Sequence, residues 1–361
     1  MHLARLKLRD FRNYARLEAS FDPGFHLFLG QNAQGKTNIL EAIYLLATLR
    51  SFRGVGGSQM IRHGAKGYFV GAEVRGPATH DVRVYWSTAE KRLSLDGAPV
   101  RKITDYWGVL QAVVFCTEDI QLIKGTSRAR RRFMDLLLTH THATYLPALQ
   151  RYARALRSRN ALLKQRVVDL DTLHGFSLEL MATGDRLIQL RRELLPRISP
   201  LARLAHRRIA GESAEDFRVE YAASVKEDFG VELAQSASRE KHLRTTLVGP
   251  HRDDLRLTFD DKPAAQFGSE GQKRSAAVAL KMAQAEYLAG LKGSPPVLLI
   301  DDVMGELDAS RRAGLMPLLE RVHQGRGQVF MTCTEENWPG ELGARLHRWR
   351  VERGQLRADP S

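Results

Sequence analysis

The spacing of apolar and charged residues divides the chain into three stretches of different character. Residues 3–21 and 68–96 alternate between the two types with the two-residue period of half-buried strands. Residues 128–210 place apolar residues three and four apart, which is typical of helices. Strand and helix patterns return together after residue 245, where the continuous apolar run 297–300 indicates a parallel strand covered on both faces. The pattern therefore predicts one α/β domain assembled from both chain ends and interrupted by a mainly helical insertion.

These changes of pattern give the predicted boundaries. We expect residues 1–119 and 245–361 to form the two parts of one head domain, with residues 120–244 as a helical arm inserted between them. The predicted arm elements are helices Arg128–His140, Tyr145–Val168, Leu170–Leu195 and Pro200–Ala210, a strand beginning near Glu215, and a helix Val231–Thr246. After the arm, the predicted elements are strand Leu255–Phe259, helix Lys273–Leu291, strand Val297–Ile300, helix Ser310–His323 and strand Gln328–Thr332.

One loop in the first part has the spacing of a nucleotide-binding loop. It reads Gly30, Gln31, Asn32, Ala33, Gln34, Gly35, Lys36 and Thr37, between a predicted strand and a predicted helix. The glycines let the backbone approach a phosphate, while the loop N–H groups and the helix N-terminus face the anion. Lys36 would reach the β- and γ-phosphates, and the Thr37 hydroxyl would ligate Mg²⁺. This predicts a site for a nucleoside triphosphate, the alternative being an ordinary glycine-rich turn.

Two later segments carry the residues that would complete such a site. Asp301 and Asp302 end the apolar strand, where Asp301 would meet Mg²⁺ and Asp302 would orient or deprotonate the attacking water. Ser269, Glu270, Gly271 and Gln272 precede a long alanine-rich helix and offer a hydroxyl, N–H groups and a helix N-terminus to an anion. Because Lys36 already cradles the phosphates, this second loop is predicted to meet the nucleotide of a second subunit.

Composition restricts the class of protein. The chain has 361 residues, of which 43% are hydrophobic and 27% charged, which predicts a soluble globular protein with a large core. No apolar run approaches 18 residues, so no transmembrane helix is expected. The two cysteines, Cys116 and Cys333, have neither metal-site spacing nor a disulfide framework. A reduced, cytoplasmic setting with no membrane partner fits these features.

The formal net charge of +14 predicts a polyanionic partner, and nucleic acid is the first candidate. Arginines at helical spacing on the arm could neutralise phosphates, or could form a solvated face paired with acids such as Glu179 and Asp185. Interleaved aromatic residues are sparse, so base stacking is not expected to dominate. The predicted DNA contacts are Arg128, Arg130, Arg131, Arg132, Arg151 and Arg154 on the arm, and Arg50 and Arg53 on a rival surface after the phosphate-loop helix.

The order of these motifs resembles a known class. Gly30–Thr37, Ser269–Gln272, Ile300–Asp302 and Gly305–Asp308 follow the order of the Walker A loop, signature loop, Walker B strand and D-loop of ABC-type ATPases. Within that class the chain resembles the RecF family of bacterial recombination mediator ATPases over essentially its whole length. The matching stretches include Leu8–Tyr14, Leu49–Arg53, Lys124–Gly125 with Arg130–Asp135, and Gly249–Leu255.

The resemblance implies a fold, a cofactor and partners. It implies a head like those of SMC and Rad50 proteins, with a helical arm in place of a long coiled coil. It implies dimerisation on ATP, with each nucleotide held between Lys36 of one subunit and the signature loop of the other, with Asp308 in the D-loop. It implies DNA binding, a link to RecR and RecO, and support of RecA loading at single-strand gaps during repair and the SOS response. Further nucleotide contacts are expected from Asn38, Arg12 and Asn13.

Several positions depart from the usual pattern. Glu270 stands where the signature loop usually has its first glycine, and Gly268 where leucine is usual. Asp302 occupies the catalytic acid position in place of glutamate, and its shorter side chain suits slow, DNA-stimulated hydrolysis in a switch more than a motor. Thr332, Cys333 and Thr334 end the last strand without the usual switch histidine, and Gln111 and Glu118 are two weak candidates for the Q-loop residue.

Three other functions account for parts of this pattern. A small-molecule kinase would explain the Walker A loop but neither the signature loop nor the net charge. The ATPase subunit of a transporter would need a surface for a membrane partner, which the arginine-rich arm disfavours. An ATP-gated DNA clamp with little or no hydrolysis is kept as an alternative function because Asp302 is atypical at the catalytic position.

Overall fold

The computed structural model describes residues 1–211, 214–306, 308–324, 327–334 and 346–359. The chain divides into two compact units. The head unit comprises Met1–Asp119, Ala205–Ala214 and Val278–Ser361, and the arm unit comprises Ile120–Leu204 and Glu215–Ala277. The head unit is thus built from both ends of the chain, with the arm unit inserted between them in the sequence, as the sequence pattern predicts.

The described elements alternate between strands and helices at both ends of the chain. The strands are β1 His2–Phe11, β2 Tyr14–Ser20, β3 Gly24–Leu29, β4 Gly67–Arg75, β5 Thr79–Ser87, β6 Lys91–Leu95, β7 Ala98–Pro99, β8 Ala112–Cys116, β9 Phe217–Ala222, β10 Asp254–Phe259, β11 Lys262–Pro263, β12 Val297–Asp301, β13 Gln328–Cys333, β14 Leu346–Glu352 and β15 Gln355–Ala358. The α-helices are α1 Lys36–Thr48, α2 Ile103–Tyr106, α3 Gln121–Lys124, α4 Ser127–Thr141, α5 Tyr145–Leu163, α6 Leu170–Ala210, α7 Phe229–Leu243, α8 Ala264–Phe267, α9 Glu270–Lys292 and α10 Ala309–Gln324.

A mostly parallel sheet positions the candidate site. Its strand order is β15-β14-β3-β13-β12-β8. Strands β14, β3, β13, β12 and β8 run parallel to one another, while β15 pairs antiparallel with β14 at the edge. The central strands are buried along most of their length, which explains their continuous apolar sequence. Because parallel strands end at the same edge, the residues that follow β3, β12, β13 and β8 meet there.

The head unit also contains an antiparallel sheet of order β2-β1-β4-β5-β6-β7. Alternate residues such as Leu6, Leu8, Val70 and Val84 are fully buried or nearly so, and in β1 the residues between and beside them, Arg5, Lys7 and Arg9, are charged and exposed. This is the one-sided pattern of an antiparallel sheet that covers a core. The alternation in residues 3–21 and 68–96 predicts these strands correctly.

The arm unit differs from the predicted arm at its C-terminal boundary. We predicted that residues 245–277 belong to the head, but the structure assigns them to the arm unit. The reason is the pairing of β10 with β9 in a three-stranded antiparallel sheet, order β11-β10-β9, which carries the segment after residue 250 into the arm. A strand pattern alone does not reveal which sheet the strand joins.

Two predicted arm helices are a single helix. The pattern predicts a break between Leu195 and Pro200, yet α6 is continuous over Leu170–Ala210 with Pro196 and Pro200 inside it. Buried apolar residues lie on both sides of the prolines, including Leu194, Ile198 and Ala202. Tertiary packing of this apolar stripe offsets the backbone hydrogen bonds that the prolines remove. Helix α5 ends at Leu163, five residues before the predicted end.

Among the helices in the described part of the chain, none combines the length and the apolar content that crossing a membrane requires.

Candidate nucleotide-binding site

The loop between β3 and α1 has the backbone geometry that its glycines allow. Gly30 and Gly35 have φ values of 153° and 117°, in the region that favours glycine. A Cβ on Gly35 would lie 2.6 Å from the Asn13 amide nitrogen and 2.8 Å from the Tyr14 hydroxyl, and one on Gly30 would collide with the Val351 carbonyl oxygen. Gly35 also caps helix α1, so the N-terminus of that helix faces the loop.

Lys36 is held by the loop itself. Its Nζ donates to the carbonyl oxygens of Gly30 at 2.5 Å and Gln31 at 2.9 Å. Burial lowers the pKa of Lys36, and the carboxylates of Asp302 and Asp301 oppose that shift. The ammonium therefore lies within the loop, beside two acids, where a phosphate group would be a stronger partner than a carbonyl.

The loop and the strand acids are joined by a direct hydrogen bond. The Thr37 hydroxyl donates to Asp301 Oδ1 at 2.8 Å, across 264 positions of sequence. The Thr332 hydroxyl donates to the same oxygen at 2.9 Å and accepts from the Asp302 N–H at 3.1 Å. Burial raises the pKa of Asp301, while the hydrogen bonds from Thr37 and Thr332 act in the opposite direction. The geometry brings together the residues predicted to ligate Mg²⁺.

Thr332 is a site residue whose role the sequence does not reveal. In the sequence it is only part of a strand end that lacks the usual switch histidine. The parallel register pairs Thr332 with Asp301 across β13 and β12, so its hydroxyl contacts both acids. The signal for this role was the adjacency of the two strands, which the sequence does not state. Asp302 has a φ of 57°, an unusual value for a residue other than glycine, which turns the chain sharply after β12.

Oxygen ligands suit the expected metal. Thr37 and Asp301 present a hydroxyl and a carboxylate 2.8 Å apart, which are ligands that Mg²⁺ accepts. Among the described residues there is no group of three or more histidine, cysteine or acidic side chains that could form a cage for a metal ion. The donor set therefore fits Mg²⁺ held by one or two protein oxygens together with phosphate, as in other nucleotide sites.

Residues from distant segments surround the loop. The Asn13 amide donates to the Gln34 carbonyl at 2.7 Å and its oxygen accepts from the Asn38 amide at 2.8 Å. The turn between β14 and β15 adds two bonds, from the Arg353 N–H to Gln34 Oε1 and from the Gly354 N–H to the Gln34 carbonyl. Asn13 and Asn38 thus lie at the predicted site, and the β14–β15 turn is a contact that the sequence did not reveal.

Arg12, the residue before Asn13, forms its side-chain hydrogen bonds away from the phosphate loop. Its guanidinium forms two bonds of 2.7 Å to the carboxylate of Glu41, which is fully buried in α1. A third bond joins it to the Gln59 carbonyl at 2.8 Å. These contacts give Arg12 a structural role beside the predicted nucleotide contact, which stays a prediction.

The two candidates for the Q-loop residue lie at opposite ends of β8. Gln111 is buried just before the strand begins, away from the phosphate loop. Cys116, at the end of β8, pairs in register with Asp301, and Glu118 follows two residues later. The charge of Glu118 adds to the effect of burial in raising the pKa of Asp301. Glu118 is therefore the candidate that lies at the nucleotide edge of the sheet.

The predicted signature loop forms the N-terminal cap of α9 within the arm unit. The Ser269 hydroxyl accepts from the Gln272 N–H at 3.2 Å, and the Gln272 side-chain oxygen accepts from the Ser269 N–H at 2.5 Å. This reciprocal pair is a capping box. Glu270, in the first turn with Gly271, forms an ion pair with Lys124 at 2.5 Å. The side chains of the loop thus cap its own helix.

The D-loop is described in part. Leu307 lies outside the described residues. Asp308 caps α10 by accepting from the Arg311 N–H at 2.9 Å, and its other oxygen is 2.9 Å from the Arg311 guanidinium.

The predicted DNA-binding arginines fall into different environments. Arg130 forms bonds of 2.6 and 2.9 Å to Asp254, Arg131 donates to Ser127 and the Asp253 carbonyl, and Arg151 forms bonds of 2.7 and 2.9 Å to Glu179. The acid pairing that we considered for the arm therefore applies to Arg151. Arg53 donates a hydrogen bond to the side-chain oxygen of Asn38, and its charge acts to lower the pKa of Asp301. It therefore lies beside the phosphate loop. The remaining candidates Arg50, Arg128, Arg132 and Arg154 are exposed.

Known proteins are similar to this chain over almost its whole length. Residues 2–348 match the family model described as the RecF/RecN/SMC N terminal domain. The chain is 39% identical to a DNA replication and repair protein RecF from Symbiobacterium thermophilum, with 99% of each chain covered. It is 37% identical to the protein of that name from Geobacter sulfurreducens, again over 99% of each chain.

Solved structures give the same result for the fold. A structure of the recombination mediator protein RecF with ATP in the RecFOR pathway superposes with a TM-score of 0.89 at 29% identity, covering 99% of this chain and 97% of that one. A Smc head domain from Pyrococcus furiosus has a TM-score of 0.56 at 16% identity, over 99% of this chain and 96% of that one. At that identity the second match supports the head fold alone.

Proposed function

This chain belongs to the RecF family, within the RecF/RecN/SMC N-terminal domain group, and we propose that it is an ATP-dependent DNA-binding protein of replication and recombinational repair. The observation that carries the proposal is the hydrogen bond between Thr37 and Asp301, which unites the phosphate loop with the acid at the end of β12. The relatives named for DNA replication and repair, and the RecF structures with ATP, support the choice of ATP and DNA.

Each residue of the head site has a part in this proposal. Lys36 binds the β- and γ-phosphates, exchanging its bonds to the loop carbonyls for bonds to the anion. Thr37 and Asp301 would hold Mg²⁺, which would neutralise charge on the phosphates. Asp302 is the carboxylate that orients the attacking water and can accept its proton. Its side chain is one methylene shorter than glutamate, so weak DNA-dependent hydrolysis is expected, as in a switch.

The signature loop is proposed to complete the site of a second copy. Ser269 and the N-terminus of α9 can meet an anion, and the capping box already fixes their geometry. ATP would then be held between Lys36 of one copy and the signature loop of the other, with Asp308 in the intervening D-loop. Dimerisation on ATP follows from this arrangement.

DNA is the proposed macromolecular partner. The net charge of +14 and the exposed candidates Arg50, Arg128, Arg132 and Arg154 support it. RecR and RecO are proposed as protein partners, and RecA as an indirect one at single-strand gaps. The proposal that RecR, RecO and RecA are partners rests on membership of the RecF family and on the RecFOR pathway named for a solved RecF structure.

Sedimentation without nucleotide, with ADP and with ATP tests the sandwich. We expect the wild-type chain to dimerise with ATP alone. Lys36→Met should lose ATP binding, measured with a fluorescent ATP analogue, whereas Ser269→Arg should bind ATP and stay monomeric. Lys66→Met and Ser238→Arg, at exposed positions, are the matched controls. Equal loss of ATP binding in both site variants would contradict a role of Ser269 in the other copy.

A DNA clamp of the SMC or Rad50 type with little hydrolysis is the alternative, favoured by the short carboxylate at Asp302. Single-turnover hydrolysis separates the two functions. Phosphate release that Asp302→Asn abolishes supports the switch, and ATP that stays intact through dimerisation and DNA binding supports the clamp.

A further inference from the structure

The exposed face of the antiparallel sheet in the head unit carries a row of aligned side chains. Direct cross-strand pairs join Arg16 to Arg9, Arg9 to Phe69, Phe69 to Tyr85 and Tyr85 to Arg92. Residues directly opposite one another in an antiparallel sheet point to the same side. The five side chains therefore form one line across β2, β1, β4, β5 and β6, which we call the platform row.

The centre of the platform row is aromatic. Phe69 is half-buried and Tyr85 is 36% exposed. The Phe69 ring lies over Gly71, because a Cβ on that glycine would be 2.8 Å from its Cζ atom. The glycine thus lets the ring lie against the sheet. Two aromatic side chains on neighbouring strands, held to a flat surface and open to solvent, have no part in the core or in the nucleotide site.

The ends of the platform row are cationic. Arg9, Arg16 and Arg92 are exposed, and none of the five positions is acidic. Among the described ion pairs, Arg16 is 4.0 Å from Glu18 and Arg92 is 2.8 Å from Glu90, while Arg9 has no carboxylate partner. Arg5 and Lys7 add positive charge on the same face, at 3.8 and 3.2 Å from Glu18. The acids Glu73 and Asp81 lie farther along the strands, where Arg75 and Arg83 pair with them.

We propose that this face binds single-stranded DNA, with Phe69 and Tyr85 stacking on bases and Arg9, Arg16 and Arg92 contacting phosphates. Flat antiparallel sheets with exposed aromatic rings recognise single strands because unpaired bases can lie on the rings. Four strand spacings of about 4.8 Å give a row about 19 Å long, which matches about six nucleotides at the roughly 3.4 Å rise of a stacked strand.

The inference rests on the proposed DNA-binding function and names where the strand binds and which kind it is. A duplex hides the faces of its bases, so the two rings would have nothing to stack on, whereas the arginines alone would serve either form of DNA. The aromatic pair is therefore the feature that selects the single strand. The arm arginines offer charge without rings and are the competing surface.

Fluorescence anisotropy of the full chain with labelled twenty-nucleotide oligo(dT), and with a duplex of equal length, tests the proposal with and without ATP. The double variant Phe69→Ala/Tyr85→Ala should weaken binding to oligo(dT) by at least tenfold and change duplex binding less than threefold. Arg9→Ala/Arg16→Ala should reduce the slope of log K against log salt by about 1.4 for the single strand. All four positions lie on the exposed sheet face, and thermal melts check that the variants stay folded.

Two controls and three outcomes make the test decisive. Arg75→Ala, on the same sheet but outside the platform row, and Arg239→Ala, at an exposed position of the arm, should each change oligo(dT) affinity less than threefold. Unchanged oligo(dT) binding in the aromatic variant overturns the proposal. Equal losses for single strand and duplex overturn the assignment to single strands. A folded wild-type chain that binds neither DNA contradicts the DNA-binding function itself, and this inference with it.

Discussion

His26, in the strand that leads into the phosphate loop, should make the head unit sensitive to mild acid. The ring is almost fully buried, stacked at 5.0 Å on Phe330 and on His347. Its Nε2 lies 2.7 Å from the Asp22 carbonyl oxygen, and its Nδ1 accepts from the Trp349 indole N–H at 3.2 Å. These partners assign the neutral ring with its proton on Nε2, because one nitrogen must donate and the other accept.

The size of the effect follows from the shifted pKa. Burial is the main cause that lowers the pKa of His26 to about 4, and the charge of His347 adds to it. An unfolded chain has a histidine pKa of about 6.5. Between pH 6.5 and pH 4 the unfolded state therefore binds more protons, so stability is complete above pH 6.5 and falls as the pH drops. The two pKa values give a loss of about 2 kcal/mol between pH 7 and pH 5 from this residue.

Urea unfolding at pH 7 and pH 5 measures that loss. Tryptophan fluorescence reports on the head unit, since no tryptophan falls in the residue ranges of the arm unit. His251 in the arm also has a pKa lowered to about 4 by burial, so the wild-type chain alone would not isolate His26. The matched variant His26→Gln cannot titrate, and its loss on acidification should be about 2 kcal/mol smaller than that of the wild type. Equal losses in the two proteins would refute the assignment of a buried neutral ring.

Two arginines that form ion pairs with carboxylates give further predictions. Arg12→Ala should destabilise the head unit by about 3 kcal/mol in urea unfolding, because it leaves the buried carboxylate of Glu41 without its bidentate partner; an unchanged midpoint would show that Glu41 is satisfied in another way. Arg191→Met should destabilise the arm by about 4 kcal/mol, because Arg191 is 2% exposed and bridges Asp135 and Asp253 at 2.7 Å each. Far-UV circular dichroism of that variant, with its many arm helices, measures the loss, and a native-like midpoint would contradict it.

The parts of the site that the sequence predicts are those whose residues are contiguous. The phosphate loop lies within eight positions, and Asp301 directly follows a buried strand, so local pattern and known chemistry suffice. Thr332, Asn13 and the β14–β15 turn come from separate segments. They reach the site through strand order, which hydrophobic patterning does not encode.

The same reason explains the error at the arm boundary. The residues of β10 form a strand in either domain, and the sequence gives no sign that their partner is β9. The break predicted in α6 failed for a different reason, because local proline chemistry was outweighed by packing along the buried stripe. Local signals therefore identify elements more reliably than they identify the partners of those elements.

Net charge alone is a poor guide to where DNA binds, and the arginines illustrate why. Arg130, Arg159 and Arg191 form ion pairs with carboxylates inside the arm unit, so their charge is neutralised where it lies. Arg9 has no such partner among the described residues and stands beside Phe69 only because β1 and β4 pair in that register. The aromatic residues looked sparse along the sequence since Phe69 and Tyr85 are sixteen positions apart, yet they are direct neighbours on the sheet. A binding surface is thus defined by exposed cations together with the aromatic side chains that strand register places next to them. This is the basis for assigning DNA to the platform row ahead of the more numerous arginines of the arm.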